Sequence, residues 1–422
     1  MPGFVSAHSH AFQIGLRGRG EEYPQGVGSF WTWRESMYKL VEDMTPSKIY
    51  QLSRQAFEEM LCAGITSVGE FHYLHHYFNQ RGKPSVPRVP CFELDDAVLQ
   101  AANDSGIRVV LLQTYYKHSG ILHPEAPLHS AQTHFESPSI ERFWESLDSL
   151  NRKIKGRSSL GVVGHSVRAV SIPDLVELRR GAMERGLPFH IHLEEQKIEV
   201  DEFVKRHGRT PMDMVCEELS PDESFTAVHC THTNPEQMER FLLSGANVCL
   251  CPITEASLGD GIVDVKGLLS HIGGEGRRPG QICIGTDSNV RISMTEEMRW
   301  LELVQRLHLE RRGVFADAVV ERGGERKKNA NLSATLINMA TKNGAHSLGL
   351  PTGEIREGCY ADLVTVDLNA PSLRAVMLQA EGAESEDILY KEILAPKIVF
   401  GTENGVFREA CVGGAWREIG PA

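Results

Sequence analysis

The stretch Ser171-Ile172-Pro173-Asp174-Leu175-Val176-Glu177-Leu178-Arg179-Arg180-Gly181-Ala182-Met183-Glu184-Arg185-Gly186-Leu187-Pro188-Phe189-His190-Ile191-His192 decides the fold. A serine hydroxyl ahead of the first turn caps free amides there, and a proline in that turn has no amide to leave unsatisfied. Gly186 stops the helix, and Pro188 to His192 continues as a short strand. The same order recurs twice. Thr45-Pro46 opens a helix carrying Ile49, Leu52, Ala56, Met60 and Leu61; it stops at Gly64, and the strand Ile65-Thr66-Ser67-Val68 follows. Asn234-Pro235 opens another that ends near Gly245, with Asn247-Val248-Cys249-Leu250 after it. Short buried strands alternating with amphipathic helices make βαβ units and hence a parallel sheet. A closed barrel and an open doubly wound sheet both satisfy this rhythm, although no GxGxxG follows the first strand.

A chain of 422 residues accommodates one barrel of about 250 residues or more with an appendage. Two regions break the rhythm. From about His118 to Pro138 the chain is rich in His, Pro and Ser and reads as a long loop, a candidate lid. From Gly353 to Asp367, and again from Val406 to Glu418, the residues read as short strands and turns. The expected division is a barrel over 1–352 and a small β-sandwich portion over 353–422. The formal net charge of −12 repels nucleic acid and anionic membrane surfaces. A small anionic substrate stays open, because local arginines can set the field of one pocket. Nine cysteines lie scattered without a CxxC pair, the pattern of a reducing compartment rather than of a disulfide framework. The first residues lack a basic, then apolar, leader, and no apolar stretch approaches the roughly 18–20 residues needed to cross a bilayer. A soluble cytoplasmic protein is expected.

The chemistry starts at His8-Ser9-His10. Two histidines at spacing two on a strand face one side, because strand side chains alternate, and at a strand end both imidazoles can reach one ion. Three further strand-end groups add weight: His190-Ile191-His192, Val228-His229-Cys230-Thr231-His232, and Ile284-Gly285-Thr286-Asp287-Ser288. One of His190 and His192 supplies a third ligand while the other packs beside it. Singly, each group has a plain structural explanation: His232 at a helix start, Asp287 as a helix cap. Jointly they match catalytic zinc, which takes three or four N/O ligands and keeps a position for water.

The order HxH, His, His, Asp is similar to that of the amidohydrolase superfamily. Longer stretches resemble its formimidoyl-hydrolysing branch, which serves histidine degradation: His8-Ser9-His10-Ala11-Phe12-Gln13, Phe30-Trp31-Thr32-Trp33-Arg34-Glu35, Gly69-Glu70-Phe71-His72-Tyr73-Leu74-His75-His76, His190-Ile191-His192-Leu193-Glu194-Glu195-Gln196 and Glu255-Ala256-Ser257-Leu258-Gly259-Asp260-Gly261. The resemblance runs from about residue 2 to the C-terminus. It implies a (β/α)8 TIM-type barrel with a partial small β-sandwich, and hydrolytic deimination of N-formimidoyl-L-glutamate to N-formyl-L-glutamate and ammonia. It implies one Zn2+ held by His8, His10, His192 and Asp287, with His229 as acid/base and Glu195 managing protons at the imine nitrogen. Asp287 also accepts the proton of the attacking water. Zinc lowers the pKa of a bound water toward about 7, and a leaving amine needs a proton returned to it. The implied substrate carries two carboxylates, which suit guanidinium donors. Arg168, with His165 beside it, matches the carboxylate-binding arginine; Arg34, Tyr73 and Gln13 match further substrate contacts. A homodimer is the expected assembly. His72, His75 and His76 suggest a second metal site, and the plainer expectation adopted is that they shape the loop after the second strand.

Departures from the family pattern fall at Ile14, where arginine is usual, at Val163-Gly164 in place of Ala-Pro, and at Asn289 in place of histidine. Family members also carry residues before the HxH strand that form part of the sandwich. Here Met1 lies immediately before that strand, so the C-terminal strands are expected with partner strands missing and edges exposed. Two other functions compete: a deaminase of purines or other aminated heterocycles with the same metal centre, and a non-catalytic barrel scaffold. The first would fill its pocket with aromatics instead of arginines; the second has no need of His8, His10, His192, His229, Glu195 and Asp287 together.

Overall fold

The structure, a computed structural model, describes residues 1–21, 28–78, 93–265, 268, 280–316, 331–374 and 389–420. Eight parallel strands pair in chain order: β1 (Phe4–Ser9), β2 (Ile65–His72), β3 (Arg108–Tyr115), β4 (Ser158–Ser166), β5 (Phe189–Leu193), β6 (Phe225–His229), β7 (Asn247–Leu250) and β8 (Ile282–Ile284). The last returns to the first. The amides of Thr286 and Asp287 donate to the His8 carbonyl at 3.0 and 3.1 Å, and the His10 amide donates to the Asp287 carbonyl at 2.8 Å. The sheet therefore curls into a (β/α)8 barrel, and the open doubly wound alternative is excluded. Gly285 makes that closure possible: a Cβ there would lie 2.7 Å from His8 Cβ.

The three helix starts read from the sequence have their caps. Thr45 accepts the Lys48 amide, Ser171 that of Asp174 and Asn234 that of Gln237, each ahead of a proline in the first turn. The helices span Pro46–Cys62, Ile172–Glu184 and Pro235–Leu243. Gly64, Gly186 and Gly245 follow them with positive φ, the backbone region that glycine enters without a Cβ penalty. Every residue of β1, β2, β3, β5, β6, β7 and β8 is buried. Strands covered on both faces do not alternate polar with apolar, so they read as continuous runs. Among the described residues no helix is long and apolar enough to cross a membrane.

A second, antiparallel sheet follows, of β9 (Leu363–Val366), β10 (Phe407–Val412) and β11 (Ala415–Glu418), in the order β11-β10-β9. The outer edge of β9 is partly covered: Pro2 bridges to Leu363, and Met1 exchanges hydrogen bonds with Val364. The expected strands and turns of 353–422 are thus joined by a helix, Ala395–Gly401, which packs on the helices Met294–Leu309 and Leu332–Met339. Asp362 pins this sheet to the foot of the barrel. Its carboxylate accepts Nε and Nη2 of Arg108 at 2.6 and 3.0 Å, and also the Gly413 amide and the Thr352 hydroxyl. Both members are buried. Removing one partner of a buried ion pair leaves an uncompensated charge. Asp362→Ala should accordingly destabilise the protein by about 3–5 kcal/mol, read as a lower urea midpoint. An unchanged midpoint would show that the small sheet is held by other contacts.

Candidate active site and metal centre

The barrel brings the strand ends to one point. His8 Nε2 lies 3.4 Å and His10 Nε2 3.5 Å from Asp287 Oδ1, and His192 Nε2 lies 3.2 Å from His8 Nε2. Ligands arranged tetrahedrally at about 2.05 Å around one zinc ion would be about 3.3 Å apart, so these donors fit a single ion. Their protonation fits too. His10 Nδ1–H donates to the Phe71 carbonyl at 2.8 Å, which leaves the Nε2 lone pair facing the cluster. Burial, then the neighbouring imidazoles, holds His8 and His192 well below the ordinary histidine pKa, and burial takes His10 down to about 3. Neutral imidazoles are what a cation needs. His190, two residues before His192, donates to the Ser347 carbonyl at 3.0 Å and is not part of the donor set.

His229 stands against this cluster, its Nε2 3.8 Å from Asp287 Oδ2 and 3.8 Å from Glu195 Oε1. Its Nδ1 lies 3.3 Å from Glu255 Oε1, which also accepts the Cys251 amide. Burial opposes charge on His229, but Glu195, Glu255 and Asp287 outweigh it and push its pKa up to about 10; a cation at Asp287 would act in the opposite sense. The backbone here is unusual. Glu194, His229, Cys230 and Asp287 have φ of 52, 75, 53 and 48°, a region that costs side-chain-bearing residues of order 1–3 kcal/mol each. That strain gathers where β5, β6 and β8 end.

A cavity of about 280 Å3 opens over the cluster and is lined by Gln13, Arg34, Tyr73, His165 and Arg168, together with His10, His192, Glu195, His229 and Asp287. All of the expected site residues except His8, which is fully buried beneath, reach this one space. Arg168 Nη2 donates to Glu195 Oε2 at 2.9 Å, and its Nε is 3.0 Å from Glu199 Oε2. Gln13 Nε2 donates to the Tyr73 hydroxyl at 2.9 Å. Arg34 lies over the Trp31 ring at 4.3 Å, and His165 Nδ1 pairs with the Ser166 hydroxyl. The His118–Pro138 loop supplies Ser119, Gly120, Ile121 and Phe135 to the wall.

Several participants escape a reading of strand ends. Glu199, in the helix Lys197–His207, sits 1% exposed beneath Arg168, its pKa raised to about 7 by burial against the pull of Arg168. Glu255, the partner of His229, lies in the helix Pro252–Leu258; its only signal was its place in a family-like stretch. Asn289 donates to the Ser9 hydroxyl and to the His10 carbonyl, both at 3.1 Å, and so ties the end of β8 to β1 where the family has histidine. His75 and His76 do shape the loop after β2: His75 Nε2 donates to the Thr114 carbonyl at 2.8 Å and His76 Nε2 to that of Glu136 at 2.8 Å.

A (β/α)8 barrel with histidines and an aspartate converging at its strand ends defines the class of metal-dependent barrel hydrolases. The model of the amidohydrolase family matches residues 1–416. The chain is 35% identical over 417 residues to formimidoylglutamate deiminase of Pseudomonas aeruginosa, covering 99% of this chain and 84% of that protein. It is 28% identical over 378 residues to a 5-methylthioadenosine/S-adenosylhomocysteine deaminase of Natronomonas pharaonis, covering 88% and 74%. Among solved structures, an amidohydrolase from Brucella melitensis superposes with a TM-score of 0.80 at 30% identity, over 100% of this chain and 85% of that one. A zinc-bound adenosine deaminase from Xanthomonas campestris shares the fold, with a TM-score of 0.73 at 20% identity and coverage of 100% and 80%. This chain belongs to the amidohydrolase family, and it is a hydrolase acting on C–N bonds other than peptide bonds. If the converging donors hold the ion, His8→Ala and His192→Ala should each lower the metal content of the purified protein by one equivalent and abolish turnover. Metal analysis showing wild-type content in both variants would place the ion elsewhere.

Proposed function

We propose that the chain hydrolyses N-formimidoyl-L-glutamate to N-formyl-L-glutamate and ammonia, using one zinc ion held by His8, His10, His192 and Asp287. The observation that carries this reading is one continuous chain of contacts from the carboxylate-binding group to the proton-handling groups: Arg168 to Glu195, Glu195 to His229, His229 to Asp287. The 35% identical relative bears the name of that activity.

A divalent ion in this donor set supplies the Lewis acidity that makes water a nucleophile near neutral pH. Arg168, with Arg34, Gln13, Tyr73 and His165, holds the substrate carboxylates and turns the formimidoyl carbon toward Asp287. Two of the Arg168 nitrogens are engaged by Glu195 and Glu199, and among the described residues Nη1 has no partner. As water attacks the amidine carbon, Asp287 takes its proton, with the His229 imidazole within 3.8 Å to stabilise or relay it. Glu195 delivers a proton to the imine nitrogen. As the tetrahedral carbon collapses, Glu195 takes the proton of its hydroxyl and Asp287 returns its own to the same nitrogen, so that the formyl C=O forms, the bond to that nitrogen breaks and one ammonia leaves for each water consumed.

One observation favours the heterocycle reading. Phe30, Trp31, Trp33, Tyr38, Tyr73, Tyr116 and Phe135 all line the cavity. Three of these rings, however, lie under guanidinium groups: Trp31 and Tyr38 under Arg34 at 4.3 and 5.5 Å, and Phe30 under Arg168 at 5.5 Å. Ammonia release from N-formimidoyl-L-glutamate, measured beside adenosine and guanine compounds, decides between the two. Release from the purine alone would overturn the proposal.

Two substitutions probe the roles separately. Arg168→Met removes a charge-assisted fork worth roughly 1.5–3 kcal/mol per bond. KM for the dicarboxylate should rise ten- to several-hundred-fold, at about 1.4 kcal/mol per decade, with metal content unchanged. Lysine should restore only part of the loss. A Met variant that turns over the dicarboxylate as wild type does would end the substrate assignment. Asp287→Asn should lower kcat by at least the roughly 10²–10⁴-fold typical of a general acid–base group, while a substrate analogue still binds. A kcat within about tenfold of wild type would send the proton elsewhere.

A further inference from the structure

Outside the catalytic cluster, the end of β2 faces the first turn of the helix Glu93–Ser105. There His75 Nδ1 lies 3.1 and 3.0 Å from the two oxygens of Asp95, and His72 Nε2 lies 3.5 Å from Asp95 Oδ2. One ligand atom from each of the three falls within a 4.8 Å group. The residues are 1%, 1% and 0% exposed.

We propose that His72, His75 and Asp95 form a second metal site, distinct from the catalytic one, that takes a zinc-like divalent cation. The spacing matches the ligand-to-ligand distance of about 3.3 Å expected around one zinc ion. His75 Nε2–H is committed to the Thr114 carbonyl, which directs Nδ1 at Asp95; His10 is held in the same way by the Phe71 carbonyl. Such a backbone acceptor behind the ring is the usual support of a ligating histidine. A charged His75–Asp95 pair alone would satisfy His75 but leave His72 with no more than the 3.5 Å approach of its Nε2 to Asp95. Neither nitrogen of the buried His72 makes a hydrogen bond, and buried polar atoms without partners are rare. A cation shared with Asp95 gives Nε2 its partner. Two imidazoles and one carboxylate select a borderline ion over calcium or magnesium, which prefer oxygen ligands. The site would clamp the end of β2 and the residues Tyr73–His75 that follow it to the helix Glu93–Ser105.

The test is metal stoichiometry in the full chain, stripped with a chelator, reloaded with zinc and desalted. Wild type should hold two equivalents per chain. Asp95→Asn and His72→Gln should each hold one, and His192→Ala should keep one. Cobalt loaded into the His192→Ala protein reads the second site alone, and it should show the intense visible bands of four-coordinate cobalt, lost when Asp95→Asn is added. Near-universal retention of fold in the variants is checked by near-ultraviolet circular dichroism. A wild-type content of one equivalent that disappears in His192→Ala, or an unchanged content in a folded Asp95→Asn, overturns the proposal.

Discussion

The site depends on the seam where β8 comes back to β1. A parallel barrel closes only if its last strand reaches its first, and here the closing hydrogen bonds are made by residues of the proposed metal centre and their neighbours. The His8 carbonyl accepts the amides of Thr286 and Asp287, and the Asp287 carbonyl accepts the His10 amide. Ser6 Oγ accepts the Thr286 amide, and Asn289 bonds across to Ser9 and His10. Two imidazoles and a carboxylate from opposite ends of the sheet are therefore held by backbone bonds. Their side chains need no further fastening to meet. Glycine at 285 follows from the same requirement, since any side chain there would collide with His8.

Closure creates an electrostatic problem. It buries Asp287, Glu195, Glu199, Glu255 and Asp260 close together, with His8, His10 and His192 driven toward neutrality by burial. Arg168 answers Glu195 and Glu199, and His229 is pulled toward its charged form. Asp260 is pushed up to about 9, first by burial and then by Glu195. Positive charge is short in such a pocket, and desolvated charges cost several kcal/mol each unless paired. A divalent cation on the imidazoles and Asp287, as proposed, would answer this imbalance. The left-handed backbone at His229 and Asp287 is tolerated because the seam and the strand pairing over-determine it.

What could be read from the sequence is what local rules govern. Helix starts at Thr45, Ser171 and Asn234 and stops at Gly64, Gly186 and Gly245 follow from capping and φ alone, and the structure keeps them. His8, His10, His192, His229 and Asp287 were visible because a strand end followed by a loop is a local pattern, and because the family resemblance ordered them. Closed versus open sheet was legible only through the family resemblance, not from the local rhythm: that choice lives in the contact of β1 with β8, far apart in the chain. Glu199 and Glu255 lie on helices, where a buried glutamate has the same local pattern as a solvated one. Their roles arise only when Arg168 and His229 arrive from other strands. The helix Ala395–Gly401, short and led by a proline, lacks a side-chain cap at its start; it is fixed by packing on neighbouring helices rather than by its own signals.

The aromatic lining and the two arginines of the cavity also make sense together. A guanidinium is weakly hydrated and planar, so an aromatic face can hold it without removing its hydrogen-bonding edge from use. Arg34 lies over Trp31 and Arg168 over Phe30, with both rings contributed by the same helix, Phe30–Glu42. Ser29 caps that helix through a reciprocal box with Thr32, which sets the entry of Phe30 and Trp31 into the cavity. The proposed metal donors lie on or just past the ends of β1, β5 and β8, whereas the proposed substrate-binding groups lie on this helix, after β1 and β2, and at the end of β4 and just beyond it. Changing specificity within such a barrel requires altering only the second set, because the seam that assembles the first would be untouched.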